Sequence, residues 1–403
     1  MNILVFNCGS SSLSFKVFRV KNYKNPRVIL YGKAHRIGVK GAEPSFIEYK
    51  YKGGVQKNTI GVRNHKEAAN SVLNYIKDNN IDVDLVGHRF VHGGSYFKNS
   101  TFINENTFKK LQLCVPLAPI HNPASLSVIY AAKKALPKIR QYVAFDSAFH
   151  ASLPFSAYTY ALPKKIVNKF KFRKYGFHGL SYSYVVRETA RFLKTPLKKL
   201  KIVACHLGTG GSSVAAIKGG VSLDTSMGYS PLTGLMMSTR CGDIDPMFTI
   251  YLMTVYGYRP DGLMKLLEKE SGLLGVSGFS SDIRDIIKHF TKIESAQAKL
   301  AFDMYIQRLK KYIGSYVAVL GGIDALVFTD DIGVHNQLVR EKVCEGMQWC
   351  GALLDKKLNR KINENRAVKL NSKNSAVYIL SVPTEEEGVI CMEGVSLLKK
   401  QKA

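Results

Sequence analysis

Four side chains of this chain stand where they could do chemistry. Arg89 lies in Leu85-Val86-Gly87-His88-Arg89-Phe90-Val91-His92-Gly93-Gly94, an apolar strand running into a glycine loop that presents a guanidinium and the imidazole of His92. Asp146 follows the apolar run Gln141 to Phe145, and a carboxylate at the carboxyl end of a buried strand can reach a ligand or a metal. A solvated turn aspartate is the plainer alternative. His178 sits in Tyr175-Gly176-Phe177-His178-Gly179, a tight turn just before a helix expected from Ser181 to Leu193, and a glycine-flanked loop histidine is poorly explained as core. Arg240 stands among small residues in Ser238-Thr239-Arg240-Cys241-Gly242-Asp243-Ile244-Asp245-Pro246, which suits a clamp on a phosphoryl group. Asp243 also reads as the N-cap of a following helix.

The elements that must position these groups are organised around a repeated hairpin. Ile3-Leu4-Val5-Phe6 and Ile202-Val203-Ala204-Cys205 read as buried strands. Each breaks into a turn of glycine and small hydroxyl residues, Asn7 to Ser12 and His206 to Ser213, before resuming as a strand. Gly9 and Gly208 lie 199 positions apart, about half the chain, so a duplicated architecture is expected. Turns with so little side-chain bulk let backbone N–H groups and hydroxyls converge on an anion, and two of them could hold a polyphosphate. Ordinary hairpins with glycine turns are the alternative for either copy alone.

Further elements follow in order. A helix is expected over Lys66 to Asn79, and three prolines fix Pro116 to Pro123 as an extended loop entering a helix at Ala124. A long helix is expected over Ala296 to Val319, with strands at Ala325 to Thr329 and Val377 to Val382. The last strand runs into Pro383-Thr384-Glu385-Glu386-Glu387 and a closing helix. Two domains are expected, 1–147 completed by about 383–403, and 148–382.

Composition excludes several classes. A 46% hydrophobic and 22% charged chain is neither disordered nor low in complexity, and its most apolar stretch, Tyr316 to Phe328, is interrupted by Gly321, Gly322 and Asp324. No membrane partner is expected. With no secretory pattern after Met1, a cytoplasmic location is expected. Seven cysteines without a C-x-x-C pair read as reduced thiols. The net charge of +28 comes from 58 basic and 30 acidic residues scattered along the chain without a nucleic-acid-binding motif. It reads as a solvated surface that attracts small polyanions, and no nucleic-acid partner is expected. There is no G-x-x-x-x-G-K-[ST] loop, dinucleotide fingerprint or zinc spacing, so a phosphotransferase here would grip phosphate with its paired hairpins.

Taken together, Asn7 to Leu13, His88 to Gly94, Pro116 to Pro123, Phe145-Asp146-Ser147-Ala148-Phe149-His150, Tyr175 to Gly179, Thr239 to Pro246 and Pro383 to Glu387 resemble the acetate kinase family, in the right order and over almost the whole length. The resemblance implies an α/β fold of two duplicated ribonuclease-H-like domains, the actin, sugar kinase and Hsp70 superfold, with an interdomain active-site cleft and a homodimer. It implies that Arg89 and Arg240 hold the carboxylate and the transferring phosphoryl group, that His178 steadies charge on that group in flight, and that Asp146 acts next to acetate. Val91, Ile120, Phe177 and Pro231 would enclose the methyl group, and Asn7 and Glu386 would sit around Mg²⁺. Ser10, Ser12, His206, Gly208, Thr209, Gly210 and Gly211 would bind phosphate, with Asp282 and Arg284 resembling nucleotide-site residues.

The chain departs from ATP-using members at three places. They carry lysine where this chain has Ser14, asparagine where it has Thr209, and Gly-Ile-Gly-Glu-Asn where it has Asp331-Ile332-Gly333-Val334-His335. Asp331 adds bulk and negative charge where a base and ribose should enter. The motifs around Thr209, Arg240 and Thr329-Asp330 are similar to the acetate kinase (diphosphate) branch, which converts acetyl phosphate and orthophosphate to acetate and pyrophosphate. That reaction is the leading expectation. ATP-dependent acetate kinase, with ADP and ATP as partners, is the alternative within the class; a weakly catalytic protein binding acetyl phosphate or polyphosphate is the alternative outside it.

Overall fold

Five strands at the start of the chain follow one another as hairpins, β1 (Asn2–Cys8), β2 (Leu13–Lys21), β3 (Lys24–His35), β4 (Phe46–Tyr51) and β5 (Gly54–Thr59). β6 (Leu85–Phe90), β7 (Thr101–Phe102) and β8 (Arg140–Phe145) complete an eight-stranded sheet in the order β5-β4-β3-β2-β1-β6-β8-β7. β1, β6 and β8 run parallel, and the crossovers this requires carry the helices His65–Asp78 and Asn122–Ala135. Asn64 caps the first of these by accepting from Glu67 N–H, and Ala68, Ala69, Val72, Leu73 and Ile76 bury its inner face at the spacing seen in the sequence. The second begins at Asn122, two residues earlier than expected, with Pro123 in its first turn. Of these hairpin strands the sequence shows β3 only over Val28 to Tyr31, and β4 and β5 not at all. β5 is almost wholly exposed, so it carries no apolar alternation to read.

The coordinates come from a computed structural model, which describes residues 1–39, 44–59, 61–361, 363 and 365–402. These fall into two units, Met1–Phe149 with Glu385–Ala403, and His150–Thr384. The closing helix, Glu386–Lys402, packs in the first unit, where Tyr142 OH donates to Ile390 C=O at 2.7 Å.

The second unit holds β9 (Lys201–Gly208), β10 (Gly211–Lys218), β11 (Val221–Thr225), β12 (Ala325–Thr329), β13 (Val368–Lys369) and β14 (Tyr378–Ser381). They form a six-stranded sheet ordered β11-β10-β9-β12-β14-β13. Its core is closed by the 25-residue helix Ala296–Leu320, whose buried residues include Phe302, Tyr305, Leu309, Ile313 and Tyr316, one apolar stripe at helical period.

The two sheets repeat one another. Asn7 faces Ser14 and Cys8 faces Leu13 across the first hairpin; His206 faces Ser213 and Leu207 faces Ser212 across the second. The 199-residue offset of Gly9 from Gly208 therefore holds on both strands of each hairpin. Beyond the hairpin, β1 lies beside β6 from Ile3 opposite Leu85, and β9 beside β12 from Ile202 opposite Ala325, both parallel. This is the duplicated ribonuclease-H-like α/β architecture. Among the described residues no helix is long and apolar enough to cross a membrane.

Candidate active site

In the first unit, Arg89 comes from the end of β6 and Asp146 from the residue after β8, neighbouring parallel strands that end side by side. Asp146 is fully buried and accepts from Arg89 at both carboxylate oxygens, Nε to Oδ1 at 3.0 Å and Nη2 to Oδ2 at 2.6 Å. The plainer reading of Asp146 as a solvated turn residue therefore fails. Arg89 Nη1 donates to Asn7 Oδ1 at 3.1 Å, and Asn7 Nδ2 donates to Glu386 and Glu387, both at 3.0 Å. Burial works against the guanidinium charge, but the carboxylates of Asp146 and Glu386 outweigh it and push the Arg89 pKa up. Ser14 brings no cation; Lys16, on the same face one strand period along, reaches Glu385 at 2.6 Å and Glu387 at 3.4 Å.

The turn of the first hairpin is closed by Gly9 N–H donating to Ser12 C=O at 2.9 Å, and braced by the Ser11 carbonyl on Ile37 N–H and the Gly9 carbonyl 2.9 Å from His65 Nε2. Ser10 is exposed and Ser12 half-buried. Val91 is buried and Ile120 is exposed.

In the second unit, His178 has left-handed backbone, φ +60°, immediately before the helix Gly179–Phe192. Its Nδ1 lies 2.8 Å from Ser213 Oγ, which in turn lies 2.6 Å from Tyr182 OH. A chain in which Tyr182 donates to Ser213 and Ser213 to Nδ1 would leave the His178 proton on Nε2. Arg240 comes from an irregular segment tied down by backbone bonds, Ser271 N–H to Thr239 C=O at 3.0 Å and Cys241 N–H to Leu267 C=O at 3.0 Å. A side chain at Gly211 would have its Cβ 3.2 Å from Arg240 Nη1 and 3.5 Å from His178 Nε2. Both donors thus border the space that this glycine leaves open. Burial lowers the Arg240 pKa, opposed by the charge of Glu268, and among the described residues no carboxylate stands within ion-pair distance of its guanidinium. A half-buried cation in that position is a ready partner for an anion.

The acids after Arg240 have other work. Asp245, not Asp243, caps the helix Pro246–Thr254 by accepting from Met247 N–H. Asp243 instead accepts from Gly234 N–H at 2.8 Å and Tyr312 OH at 2.5 Å, because the chain turns at Gly242 before the helix begins. Phe177 is buried and Pro231 half-buried.

His206, Gly208, Thr209, Gly210 and Gly211 form the end of the second hairpin. Beside it is a cavity of about 370 Å³ lined by Thr209, Ile283, Arg284, Asp331, Ile332, His335 and Asn336. Asp331 lies in the first turn of the helix Asp330–His335, with Oδ1 3.5 Å from His335 Nδ1 one turn along. Asp331 stands on the wall of this cavity, adding its bulk and charge there while the cavity stays open. Asp282 caps the helix Ile283–Lys292 and grips Arg284, whose Nη2 is 2.5 Å from Asp282 Oδ2. Those hydrogen bonds hold the Asp282 carboxyl below its usual range.

The family model described as the acetokinase family matches residues 2–392. The chain belongs to the acetokinase family. It is 42% identical over 407 aligned residues to an acetate kinase of Caldicellulosiruptor saccharolyticus, covering 99% of this chain and 100% of that one. Among solved structures, an acetate kinase from Entamoeba histolytica matches with a TM-score of 0.89 at 43% identity, over 99% and 100% of the two chains. A propionate kinase from Francisella tularensis matches with a TM-score of 0.88 at 33% identity, over 97% and 98%. The chain is thus a phosphotransferase of the acetokinase family.

For an acetokinase, a divalent metal needs hard oxygen donors. Glu386 offers a carboxylate, while Asn7 turns its amide nitrogen to Glu386 and gives its oxygen to Arg89, so it is the carboxylate that fits Mg²⁺ once phosphate oxygens and water complete the shell. Among the described residues no cluster of three or more His, Cys, Asp or Glu suggests a metal held by protein alone. Sequence reading missed Ser213, Tyr182, Lys16 and Glu385. Ser213 was recoverable: it stands opposite His206 as Ser14 stands opposite Asn7.

Proposed function

We propose that this acetokinase transfers a phosphoryl group between acetyl phosphate and a phosphate acceptor. The convergence of Arg240 Nη1 and His178 Nε2 on the space at Gly211, without a carboxylate on the arginine, carries this reading. The acceptor oxygen forms its bond to phosphorus as the bond to the acetate oxygen breaks. Acetate leaves as a stable carboxylate and returns as an anionic nucleophile, so neither direction needs a strong acid or base. Catalysis reduces to alignment and positive charge. In this reading Arg240 and His178 stabilise the moving phosphoryl group. Ser10, Ser12, His206 and Gly208 to Gly211 receive phosphate oxygens. Arg89, oriented by Asp146, holds the carboxylate, and Val91, Ile120, Phe177 and Pro231 are the apolar contacts assigned to the methyl group. Mg²⁺ at Glu386, beside Asn7, would neutralise phosphate charge.

For the acceptor, the relatives' plain designation as acetate kinases and the open cavity support ADP and ATP. About 370 Å³ is room for a nucleoside, with Ile283 and Ile332 to meet a base and Arg284 and Asn336 to meet polar edges. The diphosphate reaction is the second reading, favoured by the Asp331 carboxylate on the wall of that cavity, which opposes an anionic nucleotide. Consumption of acetyl phosphate with ADP against orthophosphate separates them: ATP formation at a high rate upholds the first, pyrophosphate formation without a nucleotide requirement the second, and turnover with neither removes both.

A second copy of the chain is also part of the proposal. The helix Pro246–Thr254 buries none of its residues, and Phe248 and Tyr251 are 64% and 56% exposed. Such a face supports a homodimer, testable as mass in solution by light scattering.

A further inference from the structure

Asp330 follows β12 and opens the helix Asp330–His335 with left-handed backbone, φ +65°, a conformation uncommon outside glycine, asparagine and aspartate. Its carboxylate lies on the first glycine of the hairpin turn: a Cβ at Gly208 would fall 2.1 Å from Asp330 Oδ2. The same oxygen is 3.1 Å from His206 Nε2, and the other nitrogen of that ring, Nδ1, is 2.9 Å from Ser181 Oγ. Both nitrogens of His206 are therefore engaged, which fixes its ring plane. That ring stacks on His178, with centroids 4.0 Å apart and planes inclined by 24°.

We propose that Asp330 is a positioning residue for His178: its carboxylate locks the His206 ring, and the locked ring serves as the platform that aims His178 Nε2 at the space beside Gly211. The inference rests on the proposed role of His178. Ser213 sets one edge of the His178 ring by hydrogen bonding, while the stack sets its tilt, and the two constraints are independent. Gly208 belongs to the same device, since any side chain there would displace the carboxylate. The left-handed backbone at Asp330 accompanies a carboxylate held on His206.

The test compares Asp330→Gly, Asp330→Asn and His178→Ala in the whole enzyme, assayed with acetyl phosphate and whichever of ADP or orthophosphate the wild type uses. Glycine relieves the left-handed backbone and removes the carboxylate, so its unfolding temperature should equal or exceed that of the wild type. Its kcat should fall about tenfold to a hundredfold, the scale of a small misplacement, with KM for acetyl phosphate changed less than about twofold. Asparagine tolerates the left-handed region and keeps an acceptor for His206 Nε2, so its kcat should return to within about threefold of wild type. Unchanged kcat in Asp330→Gly overturns the inference, as does an Asp330→Asn variant as slow as the glycine one, or slow turnover accompanied by a lowered unfolding temperature. A slow His178→Ala beside a normal Asp330→Gly sinks this inference alone. A fast His178→Ala sinks the catalytic assignment beneath it.

Discussion

Arg89 and Asp146 close on each other through two nitrogens and two oxygens, with the acid wholly buried and the arginine side chain 15% exposed. The pair joins the ends of adjacent parallel strands, so it holds the sheet and orients the guanidinium at once. Removing one partner leaves the other charge buried without compensation. Asp146→Ala should lower stability by about 3 to 5 kcal/mol, read from urea unfolding. Arg89→Ala with Asp146→Asn should recover part of that loss, because no unpaired charge remains.

Loss of the His178 imidazole should act on turnover. His178→Ala is expected to reduce kcat about a hundredfold or more with KM for acetyl phosphate little changed, the scale of deleting one donor to a developing charge. Arg240→Lys should fall by a comparable factor, because a point charge does not reproduce the planar fork. Steady-state kinetics on purified variants decide both.

Asp331 tests the cavity. Replacing it with glycine removes one negative charge from a wall that an anionic nucleotide would approach, so KM for ADP should drop about fivefold, roughly 1 kcal/mol. Turnover with orthophosphate should be unaffected. An unchanged KM for ADP would place the nucleotide elsewhere.

Two buried histidines make the protein sensitive to acid. Burial pushes the pKa of His88 and that of His150 down to about 4, so both stay neutral in the folded chain while their unfolded counterparts take up protons near 6.5. Stability from these sites is therefore complete above about pH 6.5 and is lost as the pH falls toward 4. Each loss is on the order of 3 kcal/mol. Thermal unfolding between pH 7 and 4 should show the decline, and His88→Gln, which cannot titrate, should flatten it.

The exposed helix Pro246–Thr254 predicts the state of assembly. A charge in its first turn, Phe248→Glu, should halve the solution mass seen by light scattering if a second copy covers that face.

Sequence alone determined the duplicated hairpins, the helices of residues 65–78 and 296–320, and the glycine turns, because each of these is local. Apolar period and turn chemistry act over a few residues, and the 199-residue repeat made the second copy legible from the first. The polar, exposed β5 was silent for the same reason: it has no apolar face to announce it. Asp243 reads in the sequence as the cap of a helix, and only the path of the chain at Gly242 assigned the cap to Asp245. The candidate site divides along the same line. Arg89, Asp146, His178 and Arg240 stand out by type and setting, but what each touches is set by packing across long separations. Asp330 reaches His206 across two parallel strands, and the stack of His206 on His178 depends on how the helix Gly179–Phe192 lies against β9. Such contacts leave no periodic mark in a single chain, because they depend on where β12 ends beside β9 and not on the residues that flank it.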